Sequence, residues 1–273
     1  MILVCGDRMI DRYVYGDVKR LSPDAPVPIV NVEREEEREG AAANVANNVR
    51  SMGGECIALF GTGAPVVKVR ILGKNQHVVR LDYDHLQTEI DPYLFREECA
   101  KVQYVVFCDY WKGSLRNIAR LIKMAKEMRK FVLVDPKGHD WSRYEGADLI
   151  KPNIDEMREL VGGWSTEDEL HEKADKLLEK MGAILLTRGA DGMTLYRKSG
   201  RLHVMAESTE VRCVSGAGEA VIAAMAVALS KGYFMDQAVH YASKAAGLAI
   251  QRFGTSLVME EEVFAGRTLK SVG

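Results

Sequence analysis

The sequence is poor in the features that staple small or secreted proteins together. Its five cysteines (Cys5, Cys56, Cys99, Cys108 and Cys213) form no C-x-x-C pair, and three of them sit inside apolar runs that read as strands. They are expected to be reduced and buried, in a cytoplasmic protein. With 37 basic against 39 acidic side chains the formal net charge is only −2, which leaves no global footprint for nucleic acid or an anionic membrane. The longest apolar run, Ala220 to Leu229, falls well short of a membrane span. No basic residue precedes the opening apolar stretch, and Asp7 interrupts it, so a secretory leader is not expected. Seven prolines and no low-complexity tract offer no linker, and no internal repeat occurs. Several catalytic signatures are missing too. There is no G-x-x-x-x-G-K-[ST], no H-E-x-x-H and no G-x-S-x-G, and Gly61-Thr-Gly63 runs into Pro65 rather than into a helix.

What is present is an ordinary globular balance, 47% hydrophobic and 28% charged over 273 residues, enough to bury a core without a cofactor. Short β-branched runs alternate with amphipathic ones. Strands are predicted at Ile2–Cys5, Glu55–Phe60, Tyr104–Cys108, Phe131–Asp135, Asp148–Ile150 and Ala183–Thr187. Helices are predicted at Ala41–Met52, Ser114–Lys130, Ile154–Val161, Glu167–Met181, Ala217–Lys231 and Met235–Arg252. This pattern implies an α/β fold, a doubly wound and mostly parallel sheet with helices on both faces. Two stretches, Tyr13–Val32 and Val66–Tyr83, have no helix behind them and are expected to project as a small β flap, the second turning at Gly73-Lys-Asn75. The charged run Glu33 to Glu39 reads as a solvated connection.

Ligands of open α/β sheets bind at the carboxyl ends of the strands. Here those ends carry Gly6-Asp7 with Asp11 following, Asp109-Tyr110, Asp135-Pro136-Lys137, Lys151-Pro152-Asn153 and Thr187-Arg188-Gly189, a set that outlines a cleft. The strongest local signal is Val214-Ser-Gly-Ala-Gly-Glu219 ahead of a small-residue helix. Gly216, Ala217 and Gly218 can aim backbone N–H groups and a helix dipole at a phosphoryl group, with Glu219 beside them to accept a proton. The same glycines also suit tight helix–sheet packing, with Glu219 complementing the dipole. Asn153 and Glu156 fit either a hydrated Mg²⁺ near phosphates or a helix-capping pair. Thr187 to Gly192 fits a nucleotide loop or a turn between strands.

Together these residues resemble the ribokinase-type (PfkB) carbohydrate kinases, and within them the D-glycero-β-D-manno-heptose 7-phosphate kinase branch. The resemblance runs nearly end to end. It is carried by Gly6-Asp7-Arg-Met-Ile-Asp11-Arg-Tyr-Val-Tyr-Gly16, Ser22-Pro-Asp-Ala-Pro26-Val-Pro28, Ala42-Ala-Asn44-Val-Ala46, Arg70 to Gln76, Arg80-Leu-Asp82, Asp109-Tyr-Trp-Lys112-Gly113, Val134-Asp-Pro-Lys-Gly138, Pro152-Asn153 and Gly254-Thr255-Ser256. It implies one ribokinase-like domain over 1–273, with β-lid segments near 13–33 and 66–83 that in relatives also form a dimer interface, hence a homodimer. It implies ATP and Mg²⁺ as cofactors and a small-molecule sugar phosphate as acceptor, with no nucleic acid or membrane partner. Asp7, Asp11, Asn44, Asp109 and Lys137 would bind the sugar. Asn153, Thr187, Gly189, Gly192 and Ser243 would border the nucleotide, Glu156 would serve the metal through water, and Glu219 with Gly216, Ala217 and Gly218 would catalyse transfer.

Departures from the family pattern cluster at the same place. Glu219 stands where the family has a catalytic Asp, Cys213 where an Asp is common, Gly40-Ala41 where Gly-Gly is usual, and Ser243 where an Asn is expected. The extra methylene of Glu219 displaces the carboxylate by on the order of 1 Å, which can cost about 10²-fold in rate. After Gly63 an αβ unit of roughly 30 residues is missing, so an open pocket or an exposed sheet edge is expected. Two functions follow: an ATP-dependent sugar-phosphate kinase, slow on account of these changes, or a degenerate kinase fold kept for binding a sugar phosphate or nucleotide.

Overall fold

A computed structural model describes residues 1–74, 76–207, 211–252 and 254–264; Asn75, at the expected flap turn, lies outside them. The chain begins with β1 (Ile2–Gly6), β2 (Arg8–Leu21), β3 (Pro28–Gly40), α1 (Ala41–Ser51), β4 (Cys56–Phe60), β5 (Val66–Gly73) and β6 (Gln76–Tyr83). It continues through α2 (Pro92–Ala100), β7 (Tyr104–Cys108), α3 (Ile118–Glu127), β8 (Phe131–Asp135), β9 (Leu149–Ile150), α4 (Ile154–Val161) and α5 (Glu167–Leu177). Last come β10 (Ala183–Thr187), β11 (Met193–Arg197), β12 (Gly200–Val204), α6 (Ala217–Ser230), α7 (Met235–Ile250) and α8 (Glu260–Phe264).

Eight strands form one sheet in the order β12-β11-β10-β9-β8-β7-β1-β4, parallel from β10 to β4 and closed at the other side by the antiparallel pair β11 and β12. The two-residue period of the strands divides the core. Ile2, Val4, Val106, Leu133 and Leu185 pack on one face against α1, α6 and α7, while Leu3, Cys5, Phe107, Val134 and Leu186 pack on the other among residues of α3, α4 and α5. Helix α6 is buried from Ala220 to Leu229 because it lies between the sheet and its helical neighbours, which explains why it is apolar all round. No helix among the described residues is long and apolar enough to cross a membrane. All five cysteines are free, with Cys5, Cys99 and Cys108 buried and Cys56 and Cys213 only partly so.

The second sheet has the order β3-β2-β5-β6, built from the two stretches that lack helices. It is larger than the sequence suggested. The Glu33–Glu39 run is not a connection but part of β3, paired with β2 from Met9↔Gly40 to Leu21↔Pro28. The cross-strand ion pairs Arg8–Glu39 and Arg12–Glu37 explain how so charged a segment holds a strand register, while Arg38–Glu36 pairs charges along β3 itself. Three prolines, Pro23, Pro26 and Pro28, confine themselves to the β2–β3 turn and the first residue of β3. Other boundaries shift for local reasons. Helix α3 starts at Ile118, not Ser114, because Gly113 has φ 114° and the Ser114 N–H is committed to a carboxylate. Helix α2 was not predicted, although Asp91 caps it and Pro92 opens it, which is a readable start signal.

Residues 61–65 lead straight from β4 into β5, and among the described residues β4 is the edge of the main sheet, paired there with β1. The segment is tied at Thr62, whose N–H donates to Thr88 Oγ1 at 3.0 Å and whose carbonyl accepts from Thr88 N–H at 2.9 Å. At the same carboxyl end of the sheet, Gly6 of β1 pairs with Phe60 and leaves no room for a side chain: a Cβ would lie 2.3 Å from the Cys108 carbonyl oxygen and 2.9 Å from Ala42 Cβ. Gly6→Ala is therefore expected to destabilise the fold by about 1–3 kcal/mol, seen as a lower denaturant midpoint with an unchanged slope.

Candidate active site

The carboxyl ends of β7, β8 and β9 deliver Asp109, Asp135 and Lys151 to one cavity of about 170 Å³. Its walls also include Tyr110, Pro136, Lys137, Asn153, Glu156, Gly218 and Glu219. Six of the residues singled out from the sequence thus meet in one place: Asp109, Lys137, Asn153, Glu156, Gly218 and Glu219. Asp7, Asp11, Asn44, Gly216, Ala217, Thr187, Gly189, Gly192 and Ser243 lie outside its lining.

Glu219 occupies the first turn of α6, just after Gly216, which caps the helix in the left-handed region at φ 86°. That conformation favours glycine; at the start of α6 the Ala217 N–H donates to the Val214 carbonyl at 3.4 Å, and the Gly218 and Glu219 N–H groups have no intrahelical partner, as at any helix start. Both carboxylate oxygens of Glu219 are held. Tyr110 OH donates to Oε1 at 3.0 Å and Asn44 Nδ2 to Oε2 at 3.4 Å. Burial pushes the Glu219 carboxyl above the usual range, with Asp11 adding to the rise and Tyr110, Asn44 and Lys151 opposing it. Asn44 is itself oriented, since its Oδ1 accepts from Asn48 Nδ2 at 3.0 Å. Asp11 is buried and pairs with Arg70 of β5, so the second sheet contributes a cation at the edge of the site.

Asp7 has no exposed surface, and both of its oxygens are occupied. Oδ2 accepts from the N–H groups of Tyr110 and Lys112, each at 3.0 Å, and Oδ1 from Ser114 N–H at 2.9 Å. It therefore shapes the 110–114 segment rather than presenting a free carboxylate. Asp109 is similarly engaged: Oδ1 accepts from Trp111 N–H at 3.1 Å, and Oδ2 lies 3.0 Å from Tyr144 OH and 3.2 Å from Arg143. Burial raises its pKa above the usual carboxylate range against the pull of Arg143.

Asp135 and Lys151 form a buried ion pair at 2.9 Å on the cavity wall. Burial pushes Asp135 up to about 7 in spite of Lys151. Lys151 is shifted up as well: burial lowers its proton affinity, but Asp135, Glu156 and Glu219 outweigh that and hold it charged. Asn153 and Glu156 make a complete capping box on α4, with Glu156 N–H donating to Asn153 Oδ1 at 2.9 Å and Asn153 N–H to Glu156 Oε2 at 3.0 Å. The remaining oxygen, Oε1, faces Lys137 Nζ at 3.3 Å across the cavity. Capping and cavity lining are thus compatible in one side chain.

The residues expected near a nucleotide are placed around β10 and α7. Thr187 N–H donates to the Pro152 carbonyl at 3.0 Å, joining it to the Asn153 segment. Gly189 to Asp191 form a single 3-10 turn between β10 and β11. Gly189 faces open space, whereas Gly192 is packed so closely that a Cβ would lie 2.1 Å from the Val204 carbonyl oxygen. Ser243 is buried in α7 and its hydroxyl donates to the Met205 carbonyl at 3.3 Å.

Tyr110, Asp135 and Lys151 stand out in the sequence only as strand-end polar groups, without an assigned role. Their importance comes from side-chain direction, which strand-end position alone does not reveal. Removing the charge of Asp7 should expose the cost of its three N–H partners. Asp7→Asn is expected to lower the unfolding free energy by about 2–3 kcal/mol in denaturant titration; a change below roughly 0.5 kcal/mol would contradict the anchoring role.

Comparison with known proteins bears directly on this geometry. The pfkB family carbohydrate kinase model matches residues 67–262. The D-beta-D-heptose 7-phosphate kinase of Bordetella bronchiseptica is 39% identical over 296 aligned positions, covering 96% of this chain and 94% of that protein. The bifunctional protein HldE of Vibrio cholerae is also 39% identical, but the chain spans only 62% of its length. Those alignments are longer than the 273-residue chain itself, in keeping with relatives that carry residues missing here. Among solved structures, Arabidopsis thaliana ribokinase and Escherichia coli phosphofructokinase-2 each superpose with TM-score 0.79 over 96% of both chains at 16% identity, which establishes a ribokinase-like fold. The main sheet with its strand-end cleft and the smaller second sheet are the architecture of that fold, and the chain belongs to the pfkB family of carbohydrate kinases.

Proposed function

We propose that the protein transfers the γ-phosphoryl group of ATP to a hydroxyl of a sugar phosphate, as a heptose 7-phosphate kinase. The observation that carries this reading is the placement of Glu219: a carboxylate in the first turn of α6, beside Gly216–Gly218, with Tyr110 and Asn44 fixing its two oxygens. As the acceptor oxygen bonds to the γ-phosphorus and the bond to the leaving ADP oxygen breaks, Glu219 takes the hydroxyl proton. The N–H groups at the start of α6 face the charge on the moving phosphoryl. Lys151, whose Nζ lies against Gly218, and Lys137 bring cations into the same cavity, where they pair with Asp135 and Glu156.

Within this reading Asp11, Asn44, Asp109 and Lys137 border the sugar, and Asp7 acts by positioning the 110–114 segment. Asn153, Thr187, Gly189, Gly192 and Ser243 border the nucleotide. Glu156, whose Oε1 faces the cavity beside Lys137, would hold a hydrated Mg²⁺ through water near the phosphates. When bound, that ion would offset phosphate charge. The second sheet serves as the sugar lid and as the contact face of a homodimer, in a cytoplasmic enzyme. The longer base favours a slow reaction, because positioning and electrostatics supply most of the acceleration in phosphoryl transfer.

The test is Mg²⁺-dependent ADP release from ATP with heptose 7-phosphate and a panel of hexose phosphates. Sugar-dependent turnover is expected, with Glu219→Gln lowering kcat by about 10²–10⁴-fold and Glu219→Asp remaining active. Saturable binding of ATP and sugar phosphate with no turnover in the natural chain or in Glu219→Asp would instead make it a binding protein.

The pH profile supplies a second check. The base must be ionised to act, and burial holds its proton more tightly than usual, so kcat/KM should fall on acidification through a midpoint above the ordinary Glu value of about 4.3. Tyr110 donates to the charged form and so lowers the midpoint; Tyr110→Phe should move it upward and reduce kcat. An unmoved midpoint would remove Tyr110 from the machinery.

A further inference from the structure

A second cavity, of about 320 Å³, shares Asp109 with the first. Its polar wall is built rather than accidental. Trp111 stands half exposed in the left-handed region at φ 59°, a conformation a bulky residue adopts only when held. Its N–H donates to Asp109 Oδ1 at 3.1 Å and its indole Nε1 to the Lys137 carbonyl at 2.8 Å. The Arg143 guanidinium lies 4.9 Å from the centre of the indole ring, donates to the Leu115 carbonyl at 2.9 Å and pairs with Asp109 at 3.2 Å. Arg116, exposed on the same cavity, has no side-chain hydrogen bond or ion pair among the described residues. Asp109 offsets one of the two guanidinium groups, and the cavity keeps a positive charge with no protein partner. Leu86 and Leu115 supply apolar surface beside it.

We propose that this cavity is the subsite for the phosphomonoester that the acceptor sugar already carries, with Arg116 and Arg143 as its cationic contacts and Trp111 as its wall. The proposal rests on the kinase reading and adds the feature that selects a sugar phosphate over a free sugar. Guanidinium groups suit this task because their paired N–H donors match phosphate oxygens. Sharing Asp109 places the subsite next to the reacting cavity, so one acceptor can have its hydroxyl at Glu219 and its phosphate between the arginines.

The test uses the full chain and its Arg116→Ala and Trp111→Phe variants. Tryptophan emission is titrated with inorganic phosphate, with heptose 7-phosphate and with the unphosphorylated heptose, and sugar kinetics are measured in parallel. Inorganic phosphate should change the emission saturably, and Trp111→Phe should abolish the change. Arg116→Ala should weaken inorganic phosphate and raise KM for the sugar phosphate by about 10- to 100-fold, leaving kcat within about threefold and affinity for ATP and the unphosphorylated heptose unchanged. ATP affinity also reports that the variant is folded. An active enzyme in which Arg116→Ala alters neither the phosphate response nor KM would overturn the subsite and leave the kinase reading standing, as would an emission change that survives Trp111→Phe. Absence of turnover on every sugar phosphate, with a phosphate response still lost in Arg116→Ala, would overturn the kinase reading and leave the anion site.

Discussion

Three backbone N–H groups converge on the Asp7 carboxylate, and much of the site depends on that arrangement. A buried charge is tolerated only when its oxygens are satisfied, and Asp7 has no water to turn to. The 110–114 segment supplies the missing donors and is bent to do so. Its geometry in turn sets where Tyr110, Trp111 and Lys112 point. Tyr110 reaches Glu219, and Trp111 closes the second cavity against Arg143. One carboxylate at the end of the first strand thus orders residues more than a hundred positions away.

The electrostatics of the cleft follow a common pattern. Acidic groups that burial drives towards protonation are each matched by a neighbouring donor or cation: Glu219 by Tyr110 and Asn44, Asp109 by Arg143, Asp135 by Lys151. Desolvation dominates all three, so the carboxyls hold protons more tightly than in water. For Asp135 the shift to about 7 has a consequence for stability. A group whose pKa is raised on folding stabilises most when protonated, so its contribution is present below the unfolded value near 4 and is lost as pH rises through about 7. Lys151, kept charged by its acidic surroundings, limits that loss.

Much of the fold was legible because periodicity reports burial. The runs at Tyr104–Cys108, Phe131–Asp135, Ala183–Thr187 and Ile154–Val161 coincide with observed elements to the residue. The Glu33–Glu39 segment was not legible, since a strand stabilised by cross-strand ion pairs carries no apolar alternation. The β11–β12 hairpin went unpredicted because its strands follow a turn that also resembles a nucleotide loop. At the site, strand-end polarity marked the cleft but not which side chains share it. Asp7 illustrates the limit. Its position reads as sugar-facing, while the structure commits it to backbone N–H groups, a distinction that depends on a segment distant in sequence.

The most direct measurement is a double-mutant cycle on kcat with Asp7→Asn and Tyr110→Phe, made at a temperature where both proteins remain folded. If Asp7 acts by placing Tyr110 against Glu219, the two losses overlap, and the double variant is no slower than the slower single one. Fully additive losses would mean that Asp7 and Tyr110 act independently and would contradict the account.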